Sequence, residues 1–144
     1  MAKKRIPEFA KGKITVTGKR KTAIAKATIC SGTGIVKINK IPVENLGFLR
    51  KLTVSEPIRI AEETLKSKPS FDIFVNVSGG GPESQIEVAR LSIAKAIVAF
   101  TKNAELKKAF LSYDRSLLVA DARRKEQYKP NDSKARAKRQ KSYR

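Results

Sequence analysis

Residues 71–100 read FDIFVNVSGG GPESQIEVAR LSIAKAIVAF, and the spacing of apolar residues changes partway through this stretch. Up to Ser78, apolar and polar positions largely alternate, which predicts a strand with one buried face. Three glycines and Pro82 follow, which together predict a sharp corner. Beyond the corner, apolar residues recur at helical spacing, at Ile86, Ala89, Ile93, Ile97 and Phe100. A strand, a glycine corner and a long amphipathic helix are therefore expected.

Two further strands are predicted on the N-terminal side of this unit. Ile14 and Val16 alternate with polar residues until the basic segment 18–21 interrupts the pattern. The segment 23–30 alternates again and places alanines on one face, which would let a helix approach the sheet closely. A turn at 31–34 followed by an apolar segment at 35–39 predicts a hairpin with this second strand.

Shorter helices are expected between and after these strands. Pro42 suits the first position of a short helix, and Ser55-Glu56-Pro57 predicts the start of another that runs toward Leu65. A third is expected from Ala104 to Leu111. A sheet with helices on one side indicates a two-layer α+β domain.

Positive charge is concentrated at both ends of the 144-residue chain, whose formal net charge is +19. Residues 1–26 carry nine Lys or Arg against one Glu, and residues 121–144 carry ten against three acidic residues. The middle holds thirteen basic and nine acidic residues. We therefore expect a basic N-terminal arm at 1–12, a globular domain at 13–120 and a basic C-terminal tail at 121–144.

The last twelve residues, SKARAKRQKSYR, contain six Lys or Arg and no acidic residue. The few apolar side chains of this tail cannot offset the entropy that the tail would lose on ordering in water. We therefore expect the tail to become ordered only along a polyanion. Nucleic acid, an acidic membrane or an acidic protein would serve. No apolar run approaches the ~18 residues of a membrane span, and the start lacks the apolar part of a signal peptide. One cysteine suits a reducing cytosol, so a cytoplasmic protein without a membrane partner is expected.

Catalysis, metals and cofactors are not expected from this composition. There is no histidine to shuttle protons near neutral pH, and Cys30 sits in an apolar strand pattern without an evident base. The acidic residues form no cluster typical of a metal site. The glycine corner at 79–81 resembles a phosphate cradle, but it lacks the Gly-Lys-Ser/Thr ending of a P-loop, so a tight turn is the favoured interpretation.

Three basic segments favour nucleic acid as the partner. They are Gly18-Lys-Arg-Lys21, Asp121-Ala-Arg-Arg-Lys125 and the tail. Arginine can bridge two phosphate oxygens and lysine supplies a point charge. Tyr143 offers a ring that can stack on an unpaired base or sugar.

Five motifs in order resemble the family of the ninth small-subunit ribosomal protein, in its archaeal and eukaryotic form. They are TGKRKTAIAK (17–26), FDIFVNVSGGG (71–81), the helix 85–97, DARRKE (121–126) and QKSYR (140–144). The resemblance runs from about Lys13 to the C-terminus.

The resemblance implies a fold like the second domain of ribosomal protein S5. It also implies binding to small-subunit ribosomal RNA in the head of the subunit, beside other head proteins, with the tail running toward peptidyl-site tRNA. The residues implied in ribosomal RNA binding are Lys19, Arg20, Lys21, Arg123, Arg124, Lys134, Arg136, Lys138 and Arg139. Those implied near the tRNA are Lys141, Ser142, Tyr143 and Arg144. No catalytic residue is implied.

Two departures from the family pattern bear on these expectations. The stretch 127–133 contains Asp132 where the family is usually more basic, which indicates a spacer. Glu83 and Glu87 follow the glycine corner and disfavour a phosphate there. A free-standing RNA-binding protein or RNA chaperone is the main alternative, and a small-molecule kinase of related fold is a weaker one.

Overall fold

Five strands form one mixed sheet in the order β1-β2-β5-β3-β4 in the computed structural model, which describes residues 12–66, 70–130 and 134–137. The strands are β1 (Ile14–Arg20), β2 (Ala23–Ser31), β3 (Val36–Ile38), β4 (Ile41–Pro42) and β5 (Phe71–Ser78). All neighbouring pairs are antiparallel except β3 and β5, which are parallel. The long connection between those two strands carries a helix, as parallel pairing requires.

The first hairpin is tighter than the sequence pattern predicted. Gly18 does not interrupt β1, because Gly18 pairs with Ala25 and the strand continues to Arg20, which pairs with Ala23. Two residues then turn the chain into β2. Glycine is accommodated inside this strand because α2 (Pro82–Thr101) passes directly over it. A Cβ on Gly18 would lie 3.2 Å from the carbonyl oxygen of Val88.

The predicted hairpin between β2 and residues 35–39 is wrong. β3 pairs with β5, which lies between it and β2. The Asp72 carboxylate explains why the chain passes from β2 to the far side of β5. Its Oδ1 accepts hydrogen bonds of 2.9–3.0 Å from the backbone N–H groups of Thr33, Gly34 and Ile35. These bonds tie the turn after β2 to the start of β5. Gly32 leaves room for the carboxylate, because a Cβ there would lie 2.2 Å from it. Pairing between such distant residues is invisible to a local pattern.

The helices are α1 (Phe48–Leu65), α2 and α3 (Ala104–Tyr113), with single 3₁₀ turns at Val43–Asn45 and Arg115–Leu117. The prediction for α2 is confirmed, and Pro82 occupies its first turn. The predicted start of α1 was wrong, because the helix begins seven residues before Ser55 and contains Pro57. A proline normally disfavours a helix interior. Here Pro57 is buried together with Val54 and Ala61 on one side of α1, so packing compensates for it. Pro42 precedes the first 3₁₀ turn instead of occupying it.

The helices cover one face of the sheet, which gives the two-layer α+β architecture and agrees with the fold of the second domain of ribosomal protein S5. The inward residues of β2 and β5 are buried, and α2 packs over β1, β2 and β5 with small side chains such as Ala89 and Ala96. Arg90 on α2 pairs with Glu56 on α1 and with Asp114 after α3, and so links the three helices. No helix in the described part of the chain is long and apolar enough to cross a membrane.

Candidate nucleic-acid interface

The three cations of the β1–β2 hairpin point in different directions. Lys19 lies on the outward face of the sheet and is exposed. Lys21 is exposed in the turn, where its φ of 52° places the backbone in the left-handed region. Arg20 follows the inward set of Ile14, Val16 and Gly18, so its side chain lies on the helix side. Only the two lysines of this group are presented directly to solvent.

Arg20 joins the hairpin to α2 and to the start of the C-terminal extension. Its Nε lies 2.8 Å from Oε2 of Glu87, and its Nη2 lies 3.7 Å from Oδ2 of Asp121. The Arg20 side chain is 24 % exposed and that of Asp121 is 20 % exposed. Two motifs separated by about a hundred residues therefore meet at one ion-pair cluster.

Asp121 also organises the residues that follow it. Its carboxylate accepts hydrogen bonds from the backbone N–H of Arg123 (2.9 Å) and from the Arg123 guanidinium (2.8 Å to Nη2). These bonds, with a smaller contribution from the charge of Arg20, lower the pKa of Asp121 to about 2. The carboxylate is therefore ionised at neutral pH. Arg124 donates to the carbonyl oxygens of Asp121 and Arg123. Both guanidinium groups lie at the surface beside the Arg20 cluster.

Beyond this cluster, every described residue of the extension, at 122–130 and 134–137, is exposed. The contacts here are local. Arg136 pairs with Glu126 at 2.9 Å, and the Lys125 ammonium lies 5.0 Å from the centre of the Tyr128 ring. Lys134 is exposed as well. Exposed ion pairs of this kind contribute little stability, so a polyanion can displace them at small cost.

Six of the predicted RNA-contacting residues lie outside the described residues. They are Lys138, Arg139, Lys141, Ser142, Tyr143 and Arg144. The remaining seven are Lys19, Arg20, Lys21, Arg123, Arg124, Lys134 and Arg136. Of these, the structure brings the hairpin residues and the two arginines after Asp121 into one region through the Arg20 cluster. Lys134 and Arg136 lie further along the extension.

The structure also shows cations that sequence reasoning did not assign. Lys26 on β2 and Lys37 on β3 share the outward face of the sheet with Lys19, and Lys40 lies in the exposed turn after β3. The alternation of β2 had already placed Lys26 opposite the alanine face. The positions of Lys37 and Lys40 relative to the other lysines could not be predicted in the same way, because the predicted pairing of β3 was wrong.

The glycine corner is required by packing against the first hairpin. Gly79 and Gly80 have φ values of +73° and +69°, and a Cβ on Gly79 would lie 2.6 Å from the carbonyl oxygen of Thr22. Glu83 in the first turn of α2 pairs with Arg50 at 2.8 Å. The positive φ values and the close approach of the first hairpin explain why this turn needs glycines, without a role in phosphate binding.

Cys30 is buried, in agreement with a packing role. Burial, reinforced by the nearby charge of Asp72, raises the pKa of the Cys30 thiol. The thiol is therefore protonated at neutral pH and is a poor nucleophile.

Comparison with known proteins identifies the family. A family model described as ribosomal protein S9/S16 matches residues 18–144, which include the first hairpin from Gly18 onward, the Asp121 cluster and the extension. The chain belongs to this family. The resemblance inferred from the five motifs is thus confirmed.

Curated relatives of similar length support the same assignment. The chain is 49% identical over 134 residues to small ribosomal subunit protein uS9 of Methanococcus vannielii, a match that covers 91% of this chain and 98% of the relative. It is 48% identical, with the same coverage, to small ribosomal subunit protein uS9 of Methanococcus maripaludis strain C7. These archaeal relatives confirm the predicted archaeal type of the sequence.

Proposed function

We propose that this protein is a structural component of the small ribosomal subunit that neutralises ribosomal RNA and extends toward peptidyl-site tRNA. The observation that carries the proposal is the Arg20–Asp121 contact, because it places the base of the cationic extension beside the exposed lysines of the first hairpin. The names of the uS9 relatives support the assignment to the small subunit. The protein would act on the cytoplasmic ribosome and catalyse no reaction.

Direct ribosomal RNA contact is proposed for the cations that the cluster leaves at the surface. Lys19 and Lys21 project from the hairpin, and among the described residues the guanidinium of Arg124 donates only to backbone carbonyl oxygens. Arg123 is 85 % exposed beside Asp121 and can contact a phosphate with its free edge. These groups lie on one rim of the domain and can follow one stretch of RNA backbone.

We propose that Arg20 acts at this interface mainly by connecting β1 to α2 and to the start of the extension. Its half-buried guanidinium lies between the carboxylates of Glu87 and Asp121. Removing Arg20 would leave those carboxylates near each other and would detach the extension from β1. A contribution of Arg20 to RNA binding would therefore combine a phosphate contact with positioning of the extension.

The tail is proposed to lie along RNA that is too crowded for a folded domain to enter. Lys134 and Arg136 are exposed, and Lys138 and Arg139 continue the same cationic sequence. Each cation that meets a phosphate releases a condensed counterion, and this release offsets the entropy lost on ordering the tail. The weak Arg136–Glu126 pair would open at little cost when a phosphate replaces the carboxylate.

The last four residues, Lys141, Ser142, Tyr143 and Arg144, are proposed to lie near the anticodon stem-loop of peptidyl-site tRNA. Two cations near tRNA phosphates would each contribute about 1 kcal/mol, enough to modulate tRNA retention without preventing its movement. Neighbouring proteins of the subunit head would pack around the globular part.

A tRNA-binding experiment on reconstituted small subunits tests the role of the tail. Subunits carry the full chain or a chain ending at Asp132, and tRNA binding is measured across a range of salt concentrations. The truncated chain should weaken binding and lower the salt slope by roughly one unit per lost phosphate contact. Equal slopes would contradict the proposal. A full-length chain with its tail lysines and arginines replaced by Gln separates charge from length.

Two further readouts test assembly and the position of the tail end. A crosslinker at position 144 should reach tRNA in assembled subunits. The protein should also remain with small subunits during sedimentation in high salt. Release in high salt, with stoichiometric RNA binding outside ribosomes, would favour a free-standing RNA chaperone instead.

A further inference from the structure

The face of the sheet opposite the helices has a different chemistry from the rest of the domain. Across β1, β2 and β5, the register aligns the outward residues Thr17, Lys26 and Asn76 in one row. The next row aligns Lys19 with Ile24. All five side chains are exposed, and Ile24 is 41% exposed. These five side chains are therefore a mixture of hydroxyl, amide and ammonium groups around one apolar side chain.

Charge is segregated between the two layers. The described strands contain one carboxylate, that of Asp72, and its Oδ1 is engaged by three backbone N–H groups. By contrast, the three helices together hold seven basic and six acidic side chains. The helix layer is thus nearly neutral, whereas the outward sheet face is cationic with no carboxylate pointed against it except Asp72.

The β3–β4 turn extends this cationic face and is held firmly in place. Asn39 donates from its side chain to the carbonyl oxygen of Val77 and accepts from the Val77 N–H at 2.8 Å. The backbone N–H of Asn39 also bonds to the carbonyl oxygen of Val75. These three bonds fix the turn that carries Lys40 against β5. Lys37, on the neighbouring strand, faces the same side as Phe74.

From this juxtaposition we infer that the open sheet face is a second ribosomal RNA surface, crossed by a phosphate backbone between Lys19 and Lys40. The inference rests on the proposed RNA-binding function and extends it to Lys26, Lys37 and Lys40. Four strands span about 14 Å, wide enough for an RNA strand to lie across them. The lysines would meet phosphates, while Thr17 and Asn76 would bond to phosphate or 2′-hydroxyl oxygens. Such contacts position RNA and do not read its sequence.

Charge complementarity favours RNA over a protein partner here. On the outward face, four lysines accompany the exposed Ile24 and the half-buried Phe74, whereas protein interfaces are depleted in lysine and rich in apolar contacts. The face is also continuous with the hairpin that carries Lys19 and Lys21. One RNA segment could therefore pass from the hairpin rim onto the sheet.

Paired charge-neutralising variants of the full chain test the inference. Lys26→Gln with Lys40→Asn removes two outward charges, and Asn at position 40 suits the left-handed backbone there, whose φ is 70°. Lys107→Gln with Lys108→Gln removes two exposed charges from α3 as the matched control. Binding to purified small-subunit ribosomal RNA is measured against salt. The first pair should lower the salt slope by roughly two units, and the control should leave it unchanged.

A third variant separates this inference from the proposed function. Lys21→Asn removes a hairpin charge at a position whose left-handed backbone also suits Asn. If Lys21→Asn lowers the slope and the sheet pair does not, the sheet-face inference is overturned while the proposed function stands. If the wild-type chain fails to bind this RNA, both are overturned.

Crosslinking identifies what covers the face in the assembled particle. A photoreactive residue at position 76 should crosslink to ribosomal RNA in reconstituted small subunits, and the same residue at position 107 should give a much lower yield. Predominant crosslinks from position 76 to another protein, or to residues 1–11 of this chain, would overturn the inference.

Discussion

In the globular part of the chain, ion pairs join elements that are far apart in sequence, whereas beyond Asp121 they join near neighbours. Arg90 reaches Glu56 and Asp114, and Arg20 reaches Glu87, all with side chains less than half exposed. In the extension, Arg136 pairs with Glu126 while both side chains remain mostly exposed. These ion pairs of the globular part are therefore fixed in place, whereas the described extension leaves its charges available to an external polyanion.

Asp121 forms the junction between the ion-paired globular part and the exposed extension. Asp121 faces Arg20 of the globule on one side and Arg123 of the extension on the other. It is the last residue of the described chain that is not exposed. Changes to buried residues before this point should alter folding, and changes to the exposed residues after it should alter binding alone.

The largest effect is expected from Ile93→Asp. Ile93 is fully buried in α2, and an unpaired carboxylate there should cost more than about 4 kcal/mol and unfold the domain. Circular dichroism and thermal denaturation measure the loss. Ile93→Val, which removes one methyl group, should cost about 1 kcal/mol. A folded and soluble Ile93→Asp protein would show that the core is assigned incorrectly.

A smaller effect is expected from Gly80→Ala at the corner before α2. The backbone there has a φ of +69°, and a Cβ would lie 2.9 Å from that of Ala23, so the variant should lose about 1–3 kcal/mol of unfolding free energy. Gly81→Ala is the matched control. Position 81 has an ordinary φ of −91° and nothing within 4 Å, and the change should cost less than about 1 kcal/mol. Equal losses in chemical denaturation would contradict the close-packing explanation.

The junction itself should respond to acid. Asp121 has a folded pKa of about 2, below its ordinary value, so its pairing is fully present above about pH 4 and is lost as the pH falls through about 2. An NMR titration of the Asp121 carboxyl and the Arg123 amide should follow this loss. In Arg123→Gln the Asp121 pKa should move back toward its ordinary value. An unchanged pKa in that variant would show that Arg123 is not the principal partner.

The smallest effect on stability is expected from deleting Ser133 to Arg144. The described residues of this segment, 134–137, are exposed, and its sequence offers few apolar side chains to bury. The melting temperature of the truncated chain should stay within about 2 °C of the full chain, since almost no buried surface is removed. A fall of several degrees would mean that the segment packs on the globule, which would weaken the contrast between the two regions.

The boundaries of the predicted elements were accurate where a local pattern was strong and wrong where pairing was distant. The β5 strand and α2 were predicted because each largely keeps one period of apolar residues, over eight residues in β5 and twenty in α2. The start of α1 was missed because Pro57 was interpreted by its local preference for a helix start, which its burial in the folded domain overrides. The partner of β3 was missed because the hydrogen bonds to Asp72 close a loop of nearly forty residues.

The sequence alone determined the fold class, the buried stripe of α2, the concentration of charge at the two ends and the family. These properties depend on periodicity, composition and residue order, which are local or additive. Only the tertiary structure decided that Arg20 turns inward to meet Asp121, that β3 lies beside β5, and that Lys26, Lys37 and Lys40 share one open face with Lys19. Those facts depend on which distant residues meet, and the geometry of that meeting is set by packing and hydrogen bonding across the whole domain.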